Sequence, residues 1–297
     1  MQELIDEIVE SFRTASDKKK LVARGYECLS IPYCNWLMKV IWPEFLSCMK
    51  KLDPNDTGKT VVALDFSALF HAYFYVFDDR AAQETCSKIS EFRDTAGSDK
   101  TFIIALDSAT GYWRKELYPD YKSSRKEKPD GFDELKAKAI EILKADGYRL
   151  EQHDSYESDD ILSSVAFMAK VRKQEALLIT DDKDLYQCLG SGVKIYSPRA
   201  KAERDDEWLK SELKITPKQM VDWLCLVGKD DIPSPSKIGE VTASQWLESY
   251  GSVVGIHDAR ESLTKLKRET IEAYVKKDYW LARDLHTLKK NLNIFWD

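Results

Sequence analysis

Two acidic stretches decide the fold of this chain: Ser155-Tyr-Glu-Ser-Asp-Asp-Ile-Leu162 and Leu178-Ile-Thr-Asp-Asp-Lys-Asp-Leu185. The first opens a predicted helix whose first turn carries three carboxylates, so those side chains are crowded together. The second follows a short apolar run that predicts a buried strand, and it places Asp182 and Asp184 at the carboxyl end of that strand. Parallel α/β sheets hold their functional sites at this edge. The two stretches therefore predict an α/β fold with an acidic site.

Two further aspartates end apolar runs nearer the start of the chain. Asp65 follows Thr60-Val-Val-Ala-Leu64, and Asp107 follows Thr101-Phe-Ile-Ile-Ala-Leu106. Both runs predict buried parallel strands, so three strand ends bring acid to one edge of the sheet. Each feature has an ordinary alternative, because strand-end aspartates form turns or helix caps and acidic first turns complement the helix dipole. Their combination favours a site for a hard divalent cation, since crowded carboxylates repel one another and bind magnesium or manganese through oxygen.

A basic and aromatic segment, residues 112–129, lies between these acidic positions. Its six cations are Arg114, Lys115, Lys122, Arg125, Lys126 and Lys128. The segment contains only three acidic residues, and the aromatic residues Trp113, Tyr118 and Tyr121 lie among its cations in the sequence. Cations hold phosphates, and aromatic rings stack on unpaired bases, so the segment favours contact with nucleic acid. A solvated loop of ordinary composition is the alternative.

Taken in order, these stretches resemble the 5′-nuclease family, which comprises flap endonucleases, phage 5′-exonucleases and the 5′-nuclease domain of bacterial repair DNA polymerases. The corresponding pieces here are Leu64-Asp65-Phe66, Leu106-Asp107, Trp113-Arg114, Tyr121-Lys122-Ser-Ser-Arg125, Glu157-Ser-Asp159-Asp160, Thr180-Asp-Asp182-Lys-Asp184-Leu185 and Gly228-Lys-Asp230-Asp231-Ile232-Pro233. The match runs from about residue 60 to about residue 255. The resemblance implies a three-layer, mostly parallel α/β sheet with a PIN-like nuclease core, followed by a helical part that resembles a helix-hairpin-helix.

The resemblance also implies roles for individual residues. The carboxylates at the first metal position, some of them acting through water, would be Asp65, Asp107, Glu157, Asp159 and Asp160. Those at a second position would be Asp182, Asp184 and Asp230. Lys122 and Arg125 would neutralise the scissile phosphate, and Arg114 would position the DNA backbone. Further contacts to the substrate would come from Trp113, Tyr121, Lys237 and Gly239.

The second metal position departs from the family pattern. The segment Val227-Gly-Lys-Asp-Asp-Ile-Pro233 is about two residues short, so Asp230 aligns with the second of two family aspartates and Lys229 lies beside the gap. A lysine competes electrostatically with a cation. We therefore expect one firmly held Mg²⁺ or Mn²⁺ ion and a second ion that is weakly held or absent. In the following hairpin Lys237 replaces a family glycine, whereas Gly239 is kept and allows close backbone approach.

The composition is that expected of an enzyme in a reducing compartment. The 297 residues carry a formal net charge of −6, which argues against indiscriminate coating of nucleic acid but permits a local basic contact. There is no apolar run of 18 residues to predict a membrane span, and the acidic N-terminus does not resemble a signal peptide. The six cysteines lack close pairs, so we expect free thiols in a reducing compartment. The resemblance implies that this compartment is the cytoplasm of a bacterium or a phage-infected cell.

The chain divides into three predicted parts: an N-terminal helical extension of unassigned role (residues 1–57), an α/β nuclease core (58–200) and a helical DNA-binding part (201–297). The predicted function is that of a metal-dependent 5′-3′ exonuclease or flap endonuclease, which hydrolyses DNA phosphodiester bonds. Its partner would be DNA with a 5′ end, a flap or a junction between single strand and duplex, and a polymerase partner is left open. The alternatives are a catalytically weak protein that binds DNA structures and a related RNase.

Overall fold

The computed structural model describes residues 60–236, 238–294 and 296. The predicted extension over residues 1–57 lies outside the described residues, as does Lys237. The described residues up to Lys170 and from Glu175 onward form one compact unit. None of the helices in this part of the chain is long and apolar enough to cross a membrane.

A six-stranded sheet forms the centre of this unit. Its strands are β1 (Val61–Asp65), β2 (Thr101–Leu106), β3 (Arg149–Gln152), β4 (Ala176–Ile179), β5 (Val193–Ser197) and β6 (Ala202–Arg204). They lie in the order β3-β2-β1-β4-β5-β6, and five strands run parallel while β6 is antiparallel at one edge. The apolar runs seen in the sequence form the central strands, because only strands covered on both faces need to be apolar throughout.

Helices surround the sheet and make up most of the C-terminal part. They are α1 (Phe66–Phe77), α2 (Ala81–Ala96), α3 (Trp113–Leu117), α4 (Phe132–Ala145), α5 (Ser158–Arg172), α6 (Asp206–Leu213), α7 (Met220–Val227), α8 (Glu240–Tyr250), α9 (Val253–Asp258), α10 (Lys265–Lys277) and α11 (Tyr279–His286). The helix that the first acidic stretch is predicted to open is confirmed by α5. Near the end of the chain, α10 and α11 are separated at Asp278. Tyr274 and Tyr279 are both buried, and residues five apart do not share one helical face, so the chain turns between them.

Alternate residues of β1 belong to two different apolar layers. Val61 and Ala63 pack in a core with residues of α5, α7 and the C-terminal helices. Val62 and Leu64 point to the other side and pack with residues of α1, α2 and α4. The chain therefore has the predicted three-layer α/β fold with a helical C-terminal part.

Candidate active site

Two neighbouring strand ends bring Asp65 and Asp107 to the same edge of the sheet. β1 and β2 are parallel partners, and the strand order reverses between β1 and β4, which is where α/β sheets form a crevice. Asp65 caps α1 by accepting a hydrogen bond from the Ala68 N–H at 3.1 Å. It also accepts from the hydroxyls of Ser158 and Thr180, at 3.1 and 3.2 Å. Because Asp107 accepts from the Ser158 N–H at 3.0 Å, the first residue of α5 holds both aspartates.

Three more carboxylates complete an acidic cluster of Asp65, Asp107, Asp159, Asp182 and Asp184. Asp159, in the first turn of α5, has no hydrogen bond or salt bridge to another residue of the described ranges. Burial, together with Asp182, Asp65 and Asp184, raises the pKa of Asp159 well above its usual value. Burial, reinforced by neighbouring acids, also raises the pKa of Asp65 and that of Asp184 to about 6. These acids therefore hinder one another's ionisation at the sheet edge.

One cation enters the acidic cluster from the turn after α7. Lys229 Nζ lies 2.6 and 2.9 Å from the two carboxylate oxygens of Asp182, and 3.0 Å from Oδ1 of Asp184. Burial lowers the pKa of Lys229, but Asp184 and Asp182 outweigh this effect and hold that pKa above its usual value. Burial raises the pKa of Asp182, but Lys229 outweighs this effect, so the pKa of Asp182 is lowered. The lysine is therefore charged and lies where the sequence predicted competition with a second metal ion.

Asp160, one of the residues predicted to hold the first metal ion, is surrounded by hydrogen-bond donors of the protein, and its metal-binding role stays a prediction. This carboxylate is fully buried and accepts four hydrogen bonds. Arg114 donates two of them at 2.8 and 2.9 Å. Trp113 Nε1 donates the third at 3.0 Å, and the Lys289 N–H donates the fourth at 2.9 Å. Because each oxygen already accepts two bonds, one of these donors would have to leave before Asp160 could bind a metal ion directly.

Glu157, which is also predicted to hold the first metal ion, accepts hydrogen bonds from three groups of the protein. Its Oε2 atom accepts from Arg114 at 2.8 Å and from the Tyr121 hydroxyl at 3.0 Å. Its Oε1 atom is paired with the Lys122 ammonium. Glu157 therefore links α5 to the basic segment, residues 112–129, and these partners would have to leave before it could coordinate a metal ion.

Arg114, Tyr121 and Trp113, which are predicted to contact DNA, make contacts within the protein. Arg114 is 2% exposed, and its Nε atom donates to the Leu285 carbonyl at 2.8 Å. Tyr121 is 4% exposed, so its ring cannot stack on a base. Trp113 lies against Lys289, whose Nζ atom is 4.0 Å from the centre of the indole ring. These side chains join the basic segment to α5 and the C-terminal tail, and their contact with DNA stays a prediction.

Lys122 and Arg125 lie where the basic segment meets the turn after α7. Burial raises the pKa of Asp107, but hydrogen bonds from Ser158 and Ser67 and the charges of Lys136 and Lys122 outweigh this effect, so the pKa of Asp107 is lowered. Arg125, with 57% of its side chain exposed, forms an ion pair with Asp230 at 2.7 Å. The carboxylate of Asp230 is turned to Arg125 while Lys229 occupies the acidic cluster, and the role of Asp230 as a second-metal ligand stays a prediction.

Gly239 immediately precedes α8 as its N-terminal cap. A methyl group added to its Cα would meet no described atom within 4 Å, so the space in front of it is open. This opening leaves room for the predicted approach of a substrate backbone, which stays a prediction. The neighbouring prediction, Lys237, falls outside the described residues.

Four polar residues near Asp65 and Asp107 were not singled out from the sequence: Ser67, Lys136, Ser158 and Thr180. Lys136 Nζ lies 3.9 Å from Oδ2 of Asp107 and donates to the Ser67 hydroxyl at 3.2 Å. Ser158 and Thr180 stand within the two acidic stretches and could have been found from their position there. Lys136 lacks such a signal, because it is one of several lysines on α4.

The donor atoms fit a divalent cation at one side of the acidic cluster only. In the described part of the chain, no three Asp, Glu, His or Cys side chains converge closely enough to bind one ion directly. Mg²⁺, however, keeps several waters and is often held by only one or two carboxylates. Asp65, Asp107 and Asp159 offer such oxygens. Asp182 and Asp184 do not fit an ion, because Lys229 already holds them.

Replacing Arg114 tests whether it is structural. Arg114→Met leaves Glu157 and Asp160 buried without their main partner, so we expect a loss of about 3–5 kcal/mol in the free energy of unfolding. The measurement is denaturant unfolding in metal-free buffer. Arg80→Met is the matched control, since the Arg80 side chain is 66% exposed and its pair with Glu84 contributes at most about 1 kcal/mol. If Arg114→Met were as stable as wild type but no longer bound DNA, Arg114 would be a DNA-binding residue and not a structural one.

The raised pKa of Asp65 predicts how stability depends on pH in the metal-free protein. The pKa is about 6 in the folded chain against a usual 3.8, so between these values the folded state keeps a proton that the unfolded state has lost. The stability contributed by this proton is full below about pH 4 and is lost as pH rises through about 6. Relative to wild type, Asp65→Asn should gain up to about 3 kcal/mol of unfolding free energy between pH 4 and pH 7. The exposed Asp130→Asn is the control, and parallel pH profiles for wild type and Asp65→Asn would contradict the assignment.

The sequence of this chain is similar to a known family and to several known proteins. A family model described as "5′-3′ exonuclease, N-terminal resolvase-like domain" matches residues 60–220. The chain is 29% identical over 198 residues to the thermostable DNA polymerase I of Thermus thermophilus, across 65% of this chain and 23% of that protein. It is 30% identical over 195 residues to the flap endonuclease Xni of Colwellia psychrerythraea, across 64% of this chain and 66% of that protein. The chain thus spans about a quarter of the length of the DNA polymerase I relatives that it matches.

A solved structure shares the fold. It is the flap endonuclease of bacteriophage T5 in a complex with DNA and metal ions, with a TM-score of 0.64 at 19% identity, across 76% of this chain and 88% of that one. At this identity the likeness shows the fold alone. The family match covers more than half of the chain, including both acidic stretches and the basic segment. The chain therefore belongs to the 5′-3′ exonuclease family.

Proposed function

We propose that the chain is a metal-dependent 5′-nuclease that hydrolyses DNA phosphodiester bonds at or near a 5′ end, as a 5′-3′ exonuclease or a flap endonuclease. The observation that carries the proposal is the acidic cluster, in which carboxylates from three strand ends meet the first turn of α5 beside Lys122. Relatives named as DNA polymerase I and as a flap endonuclease support DNA as the substrate.

One divalent cation, Mg²⁺ or Mn²⁺, would be held by Asp65, Asp107 and Asp159, largely through its own waters. When bound, such an ion supplies an activated water for attack on phosphorus and neutralises phosphate charge. The protein's part is to keep the carboxylates oriented. Ser158 does this by donating to both Asp65 and Asp107, which prevents either side chain from rotating away from the sheet edge.

Lys122 and Arg125 would bind the scissile phosphate. Lys122 forms an ion pair with Glu157, and Arg125 forms an ion pair with Asp230, so a carboxylate of the protein holds each cation in place. A phosphate oxygen that enters near these cations can take the place of these carboxylates as the hydrogen-bond acceptor. Preorganised cations of this kind stabilise the charge that develops in the transition state.

The remaining assignments follow from the same proposal. Residues 58–200 would form the catalytic core and residues 201–297 the DNA-binding part, with Lys237 and Gly239 next to the DNA backbone. The substrate would be DNA with a 5′ end, a flap or a junction between single strand and duplex. The protein would act in the cytoplasm of a bacterium or a phage-infected cell, alone or beside a polymerase.

A second candidate is a catalytically weak protein that binds DNA structures. One observation favours it: Arg114, Lys122 and Lys229 already neutralise carboxylates that would otherwise attract metal ions. To separate the candidates, a 5′-flap DNA, a blunt duplex and a matching RNA are incubated with Mg²⁺, Mn²⁺ or a chelator. Cation-dependent release of DNA fragments supports the nuclease, binding without cleavage supports the second candidate, and cleavage of the RNA alone points to an RNase.

Asp107 should be required for cleavage but not for DNA binding. Asp107→Ala removes a carboxylate from the metal side of the acidic cluster, so we expect single-turnover cleavage to fall to background while affinity for flap DNA stays near normal. Cleavage is followed by gel electrophoresis and binding by fluorescence anisotropy. Asp130→Ala, an exposed replacement of the same kind, should leave both unchanged. An equal loss of binding and cleavage in Asp107→Ala would remove Asp107 from the chemical step.

Lys122 and Arg125 should affect the chemical step more than binding. Each alanine variant is expected to lose about 2–4 kcal/mol of transition-state stabilisation, which is on the order of 30- to 1000-fold in the single-turnover rate. Lys210→Ala, on the exposed side of α6, is the control for the loss of one positive charge. Rates within threefold of wild type would remove Lys122 and Arg125 from the mechanism.

A further inference from the structure

The turn between α7 and the following hairpin has an unusual backbone. Gly228, Asp230 and Asp231 all have positive φ angles, of 81°, 55° and 63°. Such angles are costly for residues with side chains and persist only where other contacts hold them. Here the Lys122 N–H donates to the Asp230 carbonyl at 2.9 Å, and the Ser124 N–H donates to the Asp231 carboxylate at 2.8 Å. The turn is therefore fixed to the basic segment.

This backbone decides which side chain faces the acidic cluster. Asp230 is directed outward to Arg125, and Lys229 is directed inward to Asp182 and Asp184. The Lys229 side chain is 30% exposed and its three shortest contacts to carboxylate oxygens are 2.6, 2.9 and 3.0 Å. One ammonium thus bridges the carboxylates of two residues, two positions apart, at the start of a short 3₁₀ helix (Lys183–Cys188).

A metal ion and the Lys229 ammonium cannot both bind the same oxygens of Asp182 and Asp184. Mg²⁺ binds carboxylate oxygens at about 2.0–2.1 Å, so an ion held by the same oxygens of Asp182 and Asp184 would lie in the space that Lys229 Nζ now fills. The ammonium supplies one positive charge in place of two. It also has no water to activate and cannot be removed by a chelator.

We propose that Lys229 is a built-in substitute for the second divalent cation, so that the protein works with one exchangeable ion and one fixed ammonium. The inference rests on the proposed nuclease function for its catalytic meaning. Asp182 and Asp184 then serve to hold Lys229 beside the substrate phosphate, and the dependence of cleavage on Mg²⁺ follows the saturation of a single site.

The test counts bound ions in the absence of DNA. Mn²⁺ is titrated into the full-length protein, and free Mn²⁺ is followed by electron paramagnetic resonance for wild type, Lys229→Met and Lys194→Met. Lys194 is the matched control, because it pairs with Glu203 at the surface, far along β5 from the acidic cluster. We expect Lys229→Met to bind one ion more than wild type, and Lys194→Met to bind the same number as wild type.

The inference depends on the difference in the number of bound Mn²⁺ ions between Lys229→Met and wild type. One additional ion in Lys229→Met supports it, and an equal number of ions in Lys229→Met and wild type overturns it. A failure of the proposed function is a separate result: wild type then binds no Mn²⁺ and cleaves no DNA, whatever the difference between the variants.

A measurement on wild type covers the case in which Lys229→Met does not fold. The ammonium group of Lys229 is observed by ¹⁵N–¹H correlation spectroscopy and assigned by its disappearance in Lys229→Arg. At saturating Mg²⁺ the signal should keep its position and its slow proton exchange. A signal that shifts or vanishes as Mg²⁺ is added would show that the ion displaces the lysine, and this would overturn the inference.

Discussion

Repulsion between carboxylates at one edge of the sheet is the constraint on which the rest of this structure depends. Parallel strands that end side by side bring their terminal acids together, and burial makes each negative charge harder to keep. Three cations from outside the sheet offset this repulsion: Arg114, Lys122 and Lys229. Two come from the basic segment and one from the turn after α7. Ion pairs thus connect the basic segment to the start of α5, and the turn after α7 to the strand-end acids Asp182 and Asp184.

The start of α5 divides its acids between two tasks. Glu157 and Asp160 are three residues apart and face Arg114, which pairs with both. Asp159 lies between them in sequence and faces the strand ends, where it is crowded by Asp65. Helical geometry thus separates carboxylates that pair with Arg114 from the carboxylate that faces the other acids of the cluster. The four residues from Glu157 to Asp160 thus contain both a predicted metal-binding motif and the two acids that pair with the buried Arg114.

The limits of sequence-based prediction are visible in particular elements. The apolar runs that end in Asp65 and Asp107 form strands as expected, because central parallel strands must be apolar on both faces. The strands Arg149–Gln152 and Ala202–Arg204 lack such a run and were missed, since edge strands are covered less completely and tolerate polar residues. Lys136 was missed for a different reason: its contact with Asp107 depends on how α4 packs on the sheet.

The sequence by itself determined the α/β class, the order of the acidic strands and the position of the basic segment, because these depend on local periodicity and on residues next to one another. Only the tertiary structure decided which carboxylates stay open to a metal ion. Arg114 reaches Asp160 across 46 positions of sequence, and Lys229 reaches Asp182 across 47. Such pairs depend on the path of the loops between them. Local pattern can predict a cluster of acids, but it cannot predict which cations the folded chain brings to neutralise it.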